Sequence, residues 1–177
     1  MINIIEKDGF GRPTVLSQQT KDGSIRWEIA YLPESESAKA IALITRITTS
    51  EKYRLNERFD SGGLPLSEDR YYIDQLDHPF YHKGYHYPHP SEKDQRVRVE
   101  VVEFGGRHEF RTPKRNISQK NFGLLYRIID EAKRYAETGK TRAEIYTEQT
   151  EGKHSDTPKD TSPSIEPEPT NPGLPRN

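Results

Sequence analysis

From Gln95 to Phe104 the chain alternates side by side, with Val97, Val99 and Val101 facing one way and Arg96, Arg98 and Glu100 the other. A period of two is the mark of a half-buried strand, because successive side chains leave a strand on opposite faces. The same period recurs in residues 24–32, where Ile25, Trp27, Ile29 and Tyr31 alternate with Arg26, Glu28 and Ala30. It recurs again in residues 53–59, with Tyr53, Leu55 and Phe59 opposed to Arg54, Asn56 and Arg58. Between them Ala40 to Thr49 is a nearly continuous run rich in β-branched residues, which suits a central strand buried on both faces. A chain built this way has to form a sheet.

Turn residues punctuate these segments. Asp8-Gly9, Gly11-Arg12-Pro13 and Asp22-Gly23 mark the opening as turn-rich, and Ser61-Gly62-Gly63 with Pro65 ends the strand at Phe59. Tyr71 to Leu76 reads as a further strand. Gly105-Gly106 is expected to close a tight hairpin onto Arg107 to Thr112, placing Val101 opposite Phe110, Glu103 opposite His108 and Glu100 opposite Arg111. One helix is expected, from Asn116 to Thr138. Asn116 and Gln119 have capping-box spacing, Gly139 sits just past the end, and Phe122, Leu125, Ile129, Ala132 and Ala136 recur on one face. Thr141 to Thr147 would add a short edge element.

The predicted fold is therefore α+β: an antiparallel sheet of about five to seven strands with one long C-terminal helix packed on a face, over residues 1–148. Residues 149–177 read as a disordered, Pro-rich acidic tail. From Glu151 on there are six prolines and no aromatic residue, too little apolar surface to offset the entropy of ordering.

Composition narrows the function. The tail's five acids and three bases leave 24 bases and 23 acids in the rest, so no global field directs the chain to nucleic acid or a membrane surface. The absence of cysteine excludes disulfides, thiolate metal sites and a cysteine nucleophile. The sequence shows no secretory leader and no apolar run near the ~20 residues of a membrane span, so a cytoplasmic protein without a membrane partner is expected.

The chemistry concentrates in Asp77 to Pro90, which holds His78, His82, His86 and His89 among Phe80, Tyr81, Tyr85 and Tyr87. Three prolines forbid a helix here, and Lys83-Gly84 could serve as a two-residue turn. In that register His78, His82 and His89 share a face with Phe80, Tyr85 and Tyr87. Histidine suits acid–base catalysis near neutral pH, with Tyr85 as a fifth candidate. Three imidazoles could also bind a transition metal, but the spacing fits no zinc signature. The expectation is a protein with no metal and no other cofactor.

An anion anchor is offered by residues 107–120, five bases to one acid: Arg107, Arg111, Lys114, Arg115 and Lys120. Arg111, Lys114 and Arg115 would lie just ahead of the predicted helix N-terminus, which itself favours phosphate. With base-stacking tyrosines, such a patch suits single-stranded RNA. No nucleophile elbow and no phosphate-cradling glycine motif is present.

Arg70-Tyr71 leading into His82-Lys83 and His86 to His89, followed by the Val97 to Phe104 strand and a terminal helix, resembles the TumE-like toxins of bacterial toxin–antitoxin pairs. The resemblance covers about half of the chain. In place of that family's aspartate, asparagine and histidine cluster stands Asp77-His78-Pro79. The resemblance implies a small RNA-cleaving toxin with a cognate protein partner. Two readings follow: a ribonuclease using the histidine stretch, or a non-catalytic nucleic-acid or protein interaction module, antitoxin-like or a phage or plasmid accessory protein.

Overall fold

The computed structural model describes residues 1–141 and 143–148. The predicted tail, 149–177, lies outside the described residues. Nine strands run in one antiparallel sheet whose spatial order is the order of the chain: β1 (Asn3–Lys7), β2 (Pro13–Thr20), β3 (Gly23–Tyr31), β4 (Ile41–Thr49), β5 (Tyr53–Phe59), β6 (Pro65–Tyr72), β7 (Tyr81–His86), β8 (Val97–Glu103) and β9 (Gly106–Thr112). One helix of any length follows, α1 (Gly123–Thr138). The protein is thus mostly β, and the α+β expectation of five to seven strands is corrected. The two unforeseen strands β1 and β2 lie in the opening that its glycines and prolines had marked as turns. Those turns are real, since Gly11 and Gly23 hold positive φ, but they join strands.

The helix covers one face of the sheet. Leu125, Ile129 and Ala132 are buried at helical spacing, with Phe122 just before them. They form one cluster with Leu16, Trp27, Ile29, Ile41, Ile44 and Phe59. Leu16 pairs with Trp27, Ile29 with Ile44, and Ile44 with Phe59, so the core runs straight across β2 to β5. Phe59 and Phe122 meet edge to face at 5.1 Å.

The helix starts seven residues later than Asn116. Lys114–Asn116 form a single 3-10 turn, and the N-cap residue Phe122 offers no side-chain cap, although the Gly123 N–H donates to Asn121 Oδ1 at 2.8 Å. The would-be capping residue Gln119 instead gives its amide N–H to the Gly62 carbonyl, and the Lys120 N–H donates to Gly63 O at 2.9 Å. Gly63 has φ 83°, and a Cβ there would overlap the Lys120 carbonyl. Docking on the β5–β6 turn thus outcompetes the local capping preference. The C-terminal end agrees with the sequence, with Gly139 left-handed at φ 66°.

The β8–β9 hairpin also differs. Phe104 and Gly105 take positive φ of 46° and 82°, so they are the turn and Gly106 is already paired with Glu103. Val99 therefore faces Phe110, Val101 faces His108 and Glu100 faces Glu109. The slip from the expected pairing is two residues, which leaves every side chain on its original face. Residues 143–148 are helical rather than an edge strand.

Candidate functional site

Lys83-Gly84 is not a turn. Gly84 lies buried in the middle of β7, opposite Ser67 on β6 and Glu100 on β8. His82, Gly84 and His86 therefore share one face of a single strand, while Tyr81, Lys83 and Tyr85 take the other. Followed through the register, the histidines fall on the face opposite to the one α1 covers.

A glycine between two histidines leaves room above the strand. A Cβ built on Gly84 would lie 3.4 Å from His82 Nε2 and 3.6 Å from His86 Nε2. Both imidazole nitrogens thus close on one point over the glycine. His82 Nδ1 is 2.6 Å from Asp69 Oδ1, its direct cross-strand partner. A carboxylate only accepts, so Nδ1 carries the hydrogen, and in the neutral ring Nε2 then has its lone pair toward the notch. On the other side His86 Nε2 is 4.0 Å from Glu100 Oε2, and Glu100 is also bound by Arg107 at 3.0 Å. Asp69 thus stands behind the His82 ring, whereas Glu100, the cross-strand partner of Gly84, lies beside the His86 nitrogen that faces the notch.

Charges of both signs surround the notch, and Arg98 is 3.9 Å from Glu109. Across the sheet run three rows: Asn56, Asp69, His82, Val102 and Arg107; Arg58, Ser67, Gly84, Glu100 and Glu109; and His86, Arg98 and Arg111. Arg54 stands on the same face beside Asn56, whose Oδ1 accepts from its Nε at 3.0 Å. Arg58 is exposed and makes no salt bridge with the described residues. Arg111 is held at 2.7 Å by Asp94, whose carboxyl the Arg96 side chain keeps well below the usual carboxylate range.

The remaining predicted residues are elsewhere. His78 is exposed in the bend before Phe80, and His89 lies in the turn after β7, its Nδ1 2.7 Å from Ser91 Oγ. Neither joins His82, so the expected face of His78, His82 and His89 does not form, because that face needed a turn at Gly84. Tyr85 stands on the face away from the histidines, opposite Val99 and under the Lys83 ammonium. Of the basic set, Arg107 and Arg111 are on β9 within reach of the rows above. Lys114 and Arg115 occupy the 3-10 turn, where the Lys114 ammonium sits 5.9 Å over the Tyr87 ring. That ring is anchored by donation of its hydroxyl to Pro65 O at 2.8 Å, and burial first of all pushes its pKa up to about 12. Lys120 belongs to the connection docked on Gly63. With α1 starting at Gly123, the proposed phosphate site of Arg111, Lys114 and Arg115 at a helix N-terminus is not built.

Among the described residues no three His, Asp or Glu side chains gather as a group that could hold a metal ion, and no helix is long and apolar enough to cross a membrane. The residues that sequence reasoning missed are Asp69, Glu100, Arg54, Arg58 and Arg98. A usable signal existed in His82-x-Gly84-x-His86, the period-two spacing of one strand face. Compared with known proteins, the chain matches no family model, no curated protein and no solved structure.

Proposed function

We propose that the protein is a ribonuclease that cleaves phosphodiesters with His82 as general base and His86 as general acid. The observation that carries this reading is the convergence of the two Nε2 atoms over Gly84, with Asp69 on Nδ1 of His82 and Glu100 beside Nε2 of His86. In the proposed reaction His82 Nε2 removes the proton from a ribose 2′-hydroxyl, whose oxygen attacks the adjacent phosphorus. The bond from phosphorus to the 5′-oxygen breaks, and that oxygen takes a proton from His86. A 2′,3′-cyclic phosphate and a 5′-hydroxyl result. Arg58, which makes no salt bridge with the described residues, is assigned the phosphate's charge, while Arg98 and Arg107 are engaged by Glu109 and Glu100. This agrees with the resemblance to RNA-cleaving toxins, although through a histidine pair on one strand.

The pH dependence tests it. Base and acid must be neutral and protonated respectively, so the rate is expected to rise and then fall across about pH 5 to 8, the range in which histidine titrates. His86→Ala should remove the fall at high pH, because loss of activity there reports the acid, and lower the maximum by about 10²-fold or more. The measurement is the rate of cleavage of a labelled single-stranded RNA by the purified chain at each pH. A profile unchanged in shape by His86→Ala, or no cleavage at any pH, would return the protein to the interaction-module reading.

A further inference from the structure

Four large rings stand together at the end of the sheet where β5 begins and β6 ends. Tyr72 and Phe80 are stacked with centroids 4.4 Å apart and planes 28° from parallel. Phe80 and Phe104 continue the ladder at 5.9 Å and 21°, and Tyr53 leans on Tyr72 at 5.6 Å. These are not core residues: Tyr53 is 48 % and Phe104 74 % exposed. Successive rings of Tyr72, Phe80 and Phe104 lie within 30° of parallel with Tyr53 tilted against them, and an exposed aromatic cluster of this kind marks an interaction surface.

We propose that Tyr53, Tyr72, Phe80 and Phe104 form a stacking platform for the bases of single-stranded nucleic acid. Beside the rings is a hollow of about 420 Å³ lined by Tyr53, Arg54, Leu55, Arg70, Tyr72 and Phe80, within the rough 300–1,000 Å³ range of small-ligand sites. Its two arginines decide between occupants. An apolar protein surface seated on the rings would have to bury both guanidinium groups. A nucleotide meets rings with its base and arginines with its phosphate. Arg54 makes no salt bridge with the described residues, and Arg70 shares its charge with Glu68 at 2.7 Å while its guanidinium lies over Tyr81. Bases in a duplex are already stacked on each other, so the platform selects single strands.

The site is distinct from the histidine pair but close to it along the chain. Tyr72 lies three residues past Asp69, and Phe80 two before His82. Tyr53 and Tyr72 pair on the sheet face opposite the one that carries His82, so binding at the platform does not require the notch over Gly84 to be catalytic.

The test is fluorescence anisotropy with a labelled 2′-O-methyl uridine decamer, which cannot be cleaved through its 2′-oxygen, beside an oligothymidylate decamer and a duplex of equal length. Wild-type protein should bind the uridine or the thymidine strand and prefer it to the duplex; which strand binds better identifies RNA or DNA as the source. Phe104→Ala and Tyr53→Ala should each weaken binding about tenfold. Both side chains are exposed enough for the variants to fold. Unchanged affinity in both variants would overturn the proposal, as would equal binding of the duplex. So would self-association of the wild type that Phe104→Ala abolishes while no oligonucleotide binds. Because the probe is uncleavable, these results stand apart from those on His82 and His86.

Discussion

Replacing His82 by alanine is expected to slow RNA cleavage by about 10²- to 10⁴-fold, the usual contribution of a positioned general base. The ring can be a base only in the tautomer with its lone pair on Nε2, and Asp69 fixes that tautomer at 2.6 Å. Asp69→Asn should therefore also lower the rate, since its amide can donate to Nδ1 and drive the hydrogen onto Nε2, facing Gly84. Combined with His82→Ala, the Asp69 change should add little, because it acts only through the ring it positions. A third variant separates geometry from stability. Gly84→Ala puts a methyl group at ordinary contact distance from both Nε2 atoms, where the reacting phosphate would sit. Its melting temperature should hold or rise slightly, because Gly in a strand interior costs about 0.5–1 kcal/mol relative to Ala, while cleavage falls. Single-turnover rates with one RNA substrate check all of these. A His82→Ala rate within about twofold of wild type would remove His82 from the mechanism.

The largest expected effect on stability is at Phe59. Phe59→Ala should cost about 3–5 kcal/mol, the sum of lost transfer energy and an unfilled cavity. Phe59 is 2 % exposed, pairs with Ile44 on the neighbouring strand and meets Phe122 edge to face. It is where the sheet, the strap docked at Gly63 and the start of α1 come together, so no neighbour can close the gap without moving the helix. The melting temperature should fall by about 10 °C or more. Phe110→Ala, on the exposed edge strand at 49 % exposure, should change it little. Equal shifts for the two would mean that the helix does not close the core as described.

Residues 24–32 and 53–59 and the β8–β9 pair were legible because their side chains alternate, and residues 40–49 because of a β-branched run buried on both faces at Ile44 and Ile47; neither signal depends on the turns. Strand β6 was not. Pro65 to Tyr72 is half-exposed along most of its length, and what holds it are cross-strand pairs, Glu68 with Lys83 and Asp69 with His82, which no local pattern announces. The same gap hid half of the candidate site. His82 and His86 were visible as residue types, but the partners Asp69 and Glu100 come from strands 13 residues before and 14 after them. The Lys83-Gly84 dipeptide carried a turn signal, and only pairing of β7 on both sides overrides it. The helix start at Gly123 was concealed for a related reason, since Gln119 satisfies a distant loop rather than its own helix.

The central claim is that two imidazoles over Gly84 transfer protons in an attack by a ribose 2′-oxygen. Its most direct test is to incubate the purified chain with a single-stranded RNA carrying one 2′-deoxy nucleotide at a linkage that the all-ribose strand shows to be cut. The account predicts that cleavage stops at that linkage alone and that every product elsewhere ends in a 2′,3′-cyclic phosphate. Cleavage continuing at the 2′-deoxy linkage, or products ending in a 3′-hydroxyl, would contradict it.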